Sequence, residues 1–446
     1  MKNIYQLGVV AIASAALSLA TWEVSSTEVQ LRNVTFFNKD AQARSITRQP
    51  TNQLISQLPT DVNTVVQGNN AFALDLYKQL RDQEGNFVFS PYSISTGLAM
   101  TYAGAEGQTA TEMSQVLRFP QQQESLHTAF AALRTELDTR DEDGFQLIMA
   151  NRLWGQQGFS FLNTFREITQ NYYGARLAEV DFITNTPQAR QTINDWVEQQ
   201  TQNKIKNLIA ANNLNPMTRL VLTNAIYFKA TWVSQFWVGG TQNEPFYVAP
   251  DVTVDVPMMY QKDSLWELRS SELENLKVLE LPYVGKKIAM VILLPKQVDG
   301  LAAIEQQLTT DNLQNWLSSL SSIGEDDNYD YSVPNLEVWL PKFQCDSKFD
   351  LEEVLSEMGM ASAFDQKSAN FSGLNGKKDL FLKNIVHKTV VKIDESGSEG
   401  TAATAISGAT RSSSPIFRAD HPFMFLILDK NSGSILFLGR VVNPLA

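Results

Sequence analysis

Across 446 residues the chain has one cysteine, Cys345, and three histidines, His127, His387 and His421. A lone cysteine cannot close an intrachain disulfide, and no Cys/His cluster has metal-ligand spacing. The sequence contains no HExxH zinc pattern, GxSxG nucleophile elbow or GxxxxGK[ST] phosphate loop. Catalysis and a resident cofactor are therefore not expected. Positive charge is also scarce, with 36 Lys and Arg against 48 Asp and Glu, a formal net charge of −12. General nucleic-acid binding and anionic-membrane binding both need a positive surface, so neither is expected. The N-terminus has Lys2, then an uncharged apolar run over 7–20 that ends in small residues, Ser18 and Ala20. The run is short of the roughly 20 residues of a spanning helix. It fits a secretory signal peptide over 1–20, and export to the exterior or the periplasm.

Hydrophobic residues at 43% and charged residues at 19% are those of a globular protein. Residues 21–67 are rich in Thr, Gln, Asn and Ser without sustained periodicity, and read as a polar tail or linker. From there the signals sharpen. Phe72, Leu76 and Leu80 recur at helical spacing. Ser90-Pro91 supplies an N-cap and a first-turn proline, and Thr109 with Glu112 forms a capping-box pattern. Thr186-Pro187 and Asp350 open two more helices. Strand-like runs are RLVLTNAIYF (219–228), KVLEL (277–281), KIAMVILLP (287–295) and NLEVWLP (335–341), with YVGKK (283–287) as a hairpin turn. Helices dominate the first half and strands the second, without repeats, which predicts one α+β domain over 68–446.

Two adjoining stretches carry the functional argument. In LFLKNIVHKTVVKIDE (380–395), period-2 alternation puts Ile385, His387, Thr389, Val391 and Ile393 on one face. Lys388, Lys392 and Asp394 share the other face, which must meet water, so His387 points inward as a core histidine with a polar partner. Next comes ESGSEGTAATAISGATRSSSPIF (395–417), which has no aromatic before Phe417 and only Glu399 and Arg411 as charges between Glu395 and Arg418. Such composition is that of a flexible linker, yet it lies between two strand-like segments.

Several segments together resemble the serpin family of protease inhibitors. NFVFSPYSISTGLAMTYAGAEGQT (86–109), TNAIYFKATW (223–232), VHKTVVKIDESGSEGTAATA (386–405) and FRADHPFMFLILDKNSGSILFLGRVVNP (417–444) match its signatures in order. The resemblance implies a single α+β domain with a large, mostly antiparallel central sheet, two smaller sheets, about eight or nine helices and an exposed reactive loop. It also implies suicide-substrate inhibition. A protease attacks the loop, whose N-terminal part then inserts as an extra strand of the main sheet. A segment that serves as both loop and buried strand needs small side chains, little charge and no proline. Ser398, Gly400, Ala402 and Thr404 alternate on one face, Glu399 falls on the other, and Pro415 lies beyond.

The resemblance assigns the hinge to Glu395, Gly397, Ser398, Glu399, Gly400, Thr401, Ala402 and Ala403. Family spacing of sixteen residues from Glu395, and a count back from Pro422, both place the attacked bond at Arg411–Ser412. An arginine suits the acidic pocket of a trypsin-like serine protease or of an Arg-specific cysteine protease. The family's shutter falls on Ser90, Ser93, Asn224 and His387, and its breach on Trp232 and Glu395. Gly400 and Thr401 depart from the alanines of many inhibitory members, which keeps open a non-inhibitory binding or storage role. The helical stretch 124–137 has Arg134 as its only fixed cation, so strong heparin binding is not expected. A monomer without metal or cofactor, whose partner is a target protease, completes the expectation.

Overall fold

A computed structural model describes residues 60–138, 145–263, 268–322, 336–398 and 415–446. Ten α-helices lie among them: α1 (Thr60–Leu80), α2 (Pro91–Tyr102), α3 (Gly107–Val116), α4 (Gln123–Asp138), α5 (Asn163–Tyr173), α6 (Thr186–Gln200), α7 (Leu301–Gln307), α8 (Thr310–Ser318), α9 (Leu351–Leu355) and α10 (Ser372–Asn375). Local chemistry sets several of their starts. Ser90 caps α2 by accepting the Ser93 N–H, with Pro91 in the first turn, and Asp350 caps α9 by accepting the Glu352 N–H. Pro187 sits in the first turn of α6. Helix α1 starts inside the stretch read as tail, with Val62, Val65 and Val66 buried; the intervening Asn63, Thr64 and Gln67 hide that spacing.

The expected capping box is corrected. Helix α3 begins at Gly107 with Glu106 at its cap position, so Thr109 lies inside the helix. Thr109 Oγ1 instead accepts the Asn370 N–H at 3.0 Å, and Glu112 Oε2 accepts the Ser362 N–H at 2.8 Å. Both side chains serve a segment that lies far along the chain.

The main sheet has the order β13 (Phe343–Asp350), β14 (Ile385–Ile393), β5 (Leu220–Thr231), β3 (Arg152–Gln156), β4 (Ala178–Val180). Strand β2 (Phe145–Met149) continues the line of β3 along β5, and β15 (Gly397–Ser398) also pairs with β5. Most pairings are antiparallel, but β14 and β5 run parallel, from Ile385↔Leu222 to Val390↔Tyr227. A second sheet also has seven strands: β1 (Phe87–Phe89), β18 (Ile435–Val441), β17 (Phe423–Asp429), β10 (Ile288–Pro295), β9 (Leu276–Pro282), β8 (Arg269–Glu272), β11 (Ser321–Ser322). Several of these are very short. Strands β10, β17 and β18 are buried along their length, which is why they read as continuous apolar runs. The third sheet is β16 (Ile416–Arg418), β12 (Leu336–Pro341), β7 (Val252–Asp263), β6 (Gln242–Ala249).

Two apolar cores follow. The larger includes Ile226 and Phe228 of β5 and Ile385 of β14, with the apolar faces of the second sheet and α2. A smaller one joins the opposite face of the main sheet, through Trp154, Val221, Ala225 and Val386, to Ala189, Ile193 and Val197 of α6.

One buried ion pair ties the elements together. Arg440 Nη1 meets Glu305 Oε1 at 2.9 Å, and Tyr77 donates to the same oxygen at 2.7 Å. Arg440 also donates to the carbonyls of Arg81, Gln83 and Gly85 and lies over the Phe87 ring. Removing the carboxylate leaves a buried charge uncompensated, so Glu305→Ala is expected to destabilise the fold by roughly 3–5 kcal/mol. Urea or thermal unfolding checks this, and an unchanged transition would refute the assignment.

Candidate functional site

Along β14 Lys388 is half-buried and Lys392 exposed on one face, while His387 on the other face is fully buried. The structure brings Ser90, Ser93, Asn224 and His387 together. The Ser90 N–H donates to His387 Nε2 at 3.0 Å, and Nδ1 faces Asn224 Oδ1. A backbone N–H can only donate and an amide oxygen can only accept, so the imidazole is neutral with its proton on Nδ1. Thr389 adds its hydroxyl to Nε2 at 2.6 Å. Ser93 Oγ donates to Asn224 Oδ1 at 3.1 Å, while Asn224 Nδ2 donates to the Ser93 carbonyl at 2.5 Å.

Asn151, unmarked in the sequence reading, completes the cluster. Its Oδ1 accepts from Asn224 Nδ2 at 2.9 Å, and its Nδ2 donates to the Ser93 carbonyl at 3.0 Å. Thr389 could have been added from the strand period, since it sits two residues from His387 on the same face. No local pattern marks Asn151. The result is a polar knot joining β3, β5 and β14 to the start of α2, directly beneath the parallel strand pair. Burial pushes the His387 pKa down to about 3, and the Ser90 N–H aimed at Nε2 opposes a second ring proton.

At the other end of β14 the chain reverses tightly. Asp394 and Gly397 exchange backbone hydrogen bonds of 2.9 and 3.2 Å. Ser396 donates both its N–H and its hydroxyl to the Asp394 carboxylate. Gly397 and Ser398 then run antiparallel to β5, opposite Thr231 and Ala230. Ala230 is already paired with Phe145 on its other edge, so β15 occupies the edge that faces β14. Gly397 has φ +145°, and a Cβ there would lie 1.9 Å from the Ala230 carbonyl oxygen. Only glycine can make that approach.

Trp232 and Glu395 hold this reversal. The Trp232 indole donates to the Asp394 carbonyl at 3.1 Å and its backbone N–H to Ser396 at 2.9 Å. Its ring stacks on Tyr283 at 4.3 Å, and the Tyr283 hydroxyl meets the buried Ser398 Oγ at 3.0 Å. Glu395 Oε1 takes a hydrogen bond from Thr241 and an ion pair from Lys342, both at 2.7 Å. Burial alone would raise its pKa, but these two partners outweigh that and hold it below the ordinary carboxylate value. Lys342, Thr241 and Tyr283 were not foreseen; each comes from a separate connection, between β12 and β13, before β6 and after β9. Glu399, Gly400, Thr401, Ala402, Ala403, Arg411 and Ser412 lie outside the described residues.

The fold agrees with comparison to known proteins. The family model described as "Serpin (serine protease inhibitor)" matches residues 67–444, and the chain belongs to the serpin family. It is 40% identical to an uncharacterized serpin-like protein of Thermococcus kodakarensis over 85% of this chain and 86% of that one. It is also 40% identical to the human leukocyte elastase inhibitor, over 84% and 98% of the two chains. Among solved structures, Serpin48 of the insect Tenebrio molitor superposes with a TM-score of 0.74 at 34% identity, covering 85% of this chain and 98% of that one. Uncleaved ovalbumin gives a TM-score of 0.74 at 29% identity, covering 85% and 100%.

A pH dependence follows from His387. The folded state holds it neutral down to about pH 3, whereas the unfolded chain binds a proton below its ordinary value near 6.5. This contribution to stability is therefore intact above about pH 6.5 and is lost as pH falls from there toward 3, at up to about 1.4 kcal/mol per pH unit. His127, lowered to about 4 by burial, adds a second proton in the same direction. Urea midpoints between pH 7 and 4 should fall less steeply for His387→Gln than for the unaltered chain. Equal slopes would contradict the buried neutral assignment.

Proposed function

We propose that this serpin is a suicide-substrate inhibitor of trypsin-like, Arg-specific serine proteases. The observation that carries the reading is β15. Past Val390↔Tyr227 no further β14–β5 pairing occurs, and the hinge has turned back into the gap, antiparallel to β5. A strand that continues from Ser398 between β14 and β5 runs antiparallel to both, and replaces one parallel contact with two antiparallel ones.

Continuing the register down β5 sets Glu399 opposite the exposed Lys229, Gly400 opposite Phe228 and Ala402 opposite Ile226. The charge of Glu399 then meets a cation, and the small residues face the large core. Inserting about ten residues, at a net ~1 kcal/mol per hydrogen bond plus side-chain burial, releases on the order of 10 kcal/mol. The uncut form is accordingly held by a barrier rather than by equilibrium.

In this reading a protease serine attacks the Arg411 carbonyl. An ester forms, the Arg411–Ser412 peptide bond breaks, and the amine of Ser412 leaves with a proton. Insertion then carries the ester-linked protease away before water completes hydrolysis. Ser90, Ser93, Asn224 and His387 act as the shutter whose bonds must yield for the sheet to part. Trp232 and Glu395 guard the point where the loop first enters. None of these residues performs chemistry. The N-terminal segment 1–20 directs export, and the chain works as a monomer without strong affinity for heparin.

Mixing the purified chain with trypsin tests the proposal by denaturing gel and mass spectrometry. The expected result is an SDS-resistant adduct together with a released peptide that begins at Ser412. Cleavage at that bond with no adduct would overturn trypsin trapping; repeating it with an Arg-specific cysteine protease then separates a different target from a non-inhibitory loop. An Arg411→Ala variant should lose the adduct with trypsin while keeping its fold.

A further inference from the structure

The smaller core lies across the strand pair that the proposed insertion must open. Val221 and Ala225 of β5 and Val386 of β14 meet the underside of α6 through Ala189, Ile193 and Val197. A strand admitted between β14 and β5 places every second side chain into that layer, which is close-packed and has no room for them without movement of α6.

One contact joins α6 to the sheet by chemistry other than apolar packing. The Arg152 guanidinium of β3 lies 4.1 Å from the centre of the Trp196 ring on α6 and 5.3 Å from that of Trp154 on its own strand. The two indoles meet edge to face at 5.5 Å. Arg152 Nε is buried with no hydrogen-bond partner, and among the described residues no carboxylate pairs with the side chain. The cation is thus held by aromatic faces, in a partly desolvated site where such contacts are strongest. The neighbouring Asn151 points the other way, into the Ser93–Asn224 knot. The start of β3 is therefore fastened to α6 by Arg152, and the residue just before it to α2 by Asn151.

We infer that Arg152 is a positioning residue, latching α6 to β3 through Trp196 and so setting the rate at which the sheet admits a new strand. The rate part of this inference rests on the insertion reading above; the latch itself does not. An aromatic cage suits such a role. It orients the helix, yet it can open without stranding a buried carboxylate, as a broken salt bridge would.

The test uses the full uncut chain and three variants: Arg152→Met, which keeps the apolar stem, Arg152→Lys, which keeps the charge, and Trp196→Leu. Hydrogen–deuterium exchange is followed over residues 186–200. Strand admission is followed as the annealing rate of a synthetic peptide with the sequence of residues 398–411. Arg152→Met and Trp196→Leu should exchange roughly tenfold faster in α6, the change expected on losing one contact of this kind. They should also anneal the peptide faster by a similar factor, with exchange in α2 and β18 unaltered and Arg152→Lys close to the parent. Unchanged annealing in Arg152→Met, or equal effects of Met and Lys, would overturn the inference. So would a uniform loosening of the whole fold, which is what a merely structural residue gives. If the parent chain neither anneals the peptide nor forms a protease adduct, the insertion reading has failed, and α6 exchange alone decides the latch.

Discussion

Strands β14 and β5 run parallel in the middle of a sheet that is otherwise mostly antiparallel, and no further pairing between them extends past Val390 and Tyr227. The rest of the molecule is arranged around that seam. Parallel pairing is the weaker arrangement per residue, and here it is joined to a chain that turns straight back into the gap it leaves. The Asp394–Gly397 reversal points β15 at the seam, and the 1.9 Å Cβ clearance at Gly397 shows how closely the hinge lies on β5. The hydrogen bonds that would be gained by a strand in the seam are therefore withheld by whatever keeps it shut.

In the proposed reading, three groups of contacts do that work from different directions. Beneath the seam, His387, Asn224, Ser93 and Asn151 link the strands to α2 through buried, directional bonds. At its open end, the Trp232–Tyr283 stack and the Glu395–Lys342 pair fix the reversal. Above it, α6 lies on a small apolar core with Arg152 gripped between two indoles. In the insertion reading, opening these groups must be easier than global unfolding.

Much of this was legible in sequence, for reasons that differ by residue. His387 could be turned inward because Lys388 and Lys392 fall on the opposite face of a strand of period two. Ser90-Pro91 declared a helix start because both the cap and the first-turn proline act locally. The hinge stood out because residues 396–414 satisfy the demands of loop and strand at once. The misses share one cause. Thr109 and Glu112 have the spacing of a capping box, but bind Asn370 and Ser362, some 250 residues away along the chain. Asn151, Lys342 and the Arg440–Glu305 pair likewise owe their roles to partners that only the folded topology supplies. No local pattern marks Trp196 either; its aromatic face matters only because Arg152 lies over it.

The central claim is that the uncut chain stores free energy which a strand in the seam releases. Thermal unfolding of the chain before and after a single cut within residues 399–414 measures this most directly, without needing the right target protease. The account predicts that the cut form melts roughly 10 °C or more above the uncut form, as on the order of 10 kcal/mol of added stability requires in a domain of this size. A cut chain that melts at the same temperature, or below it, would contradict the account.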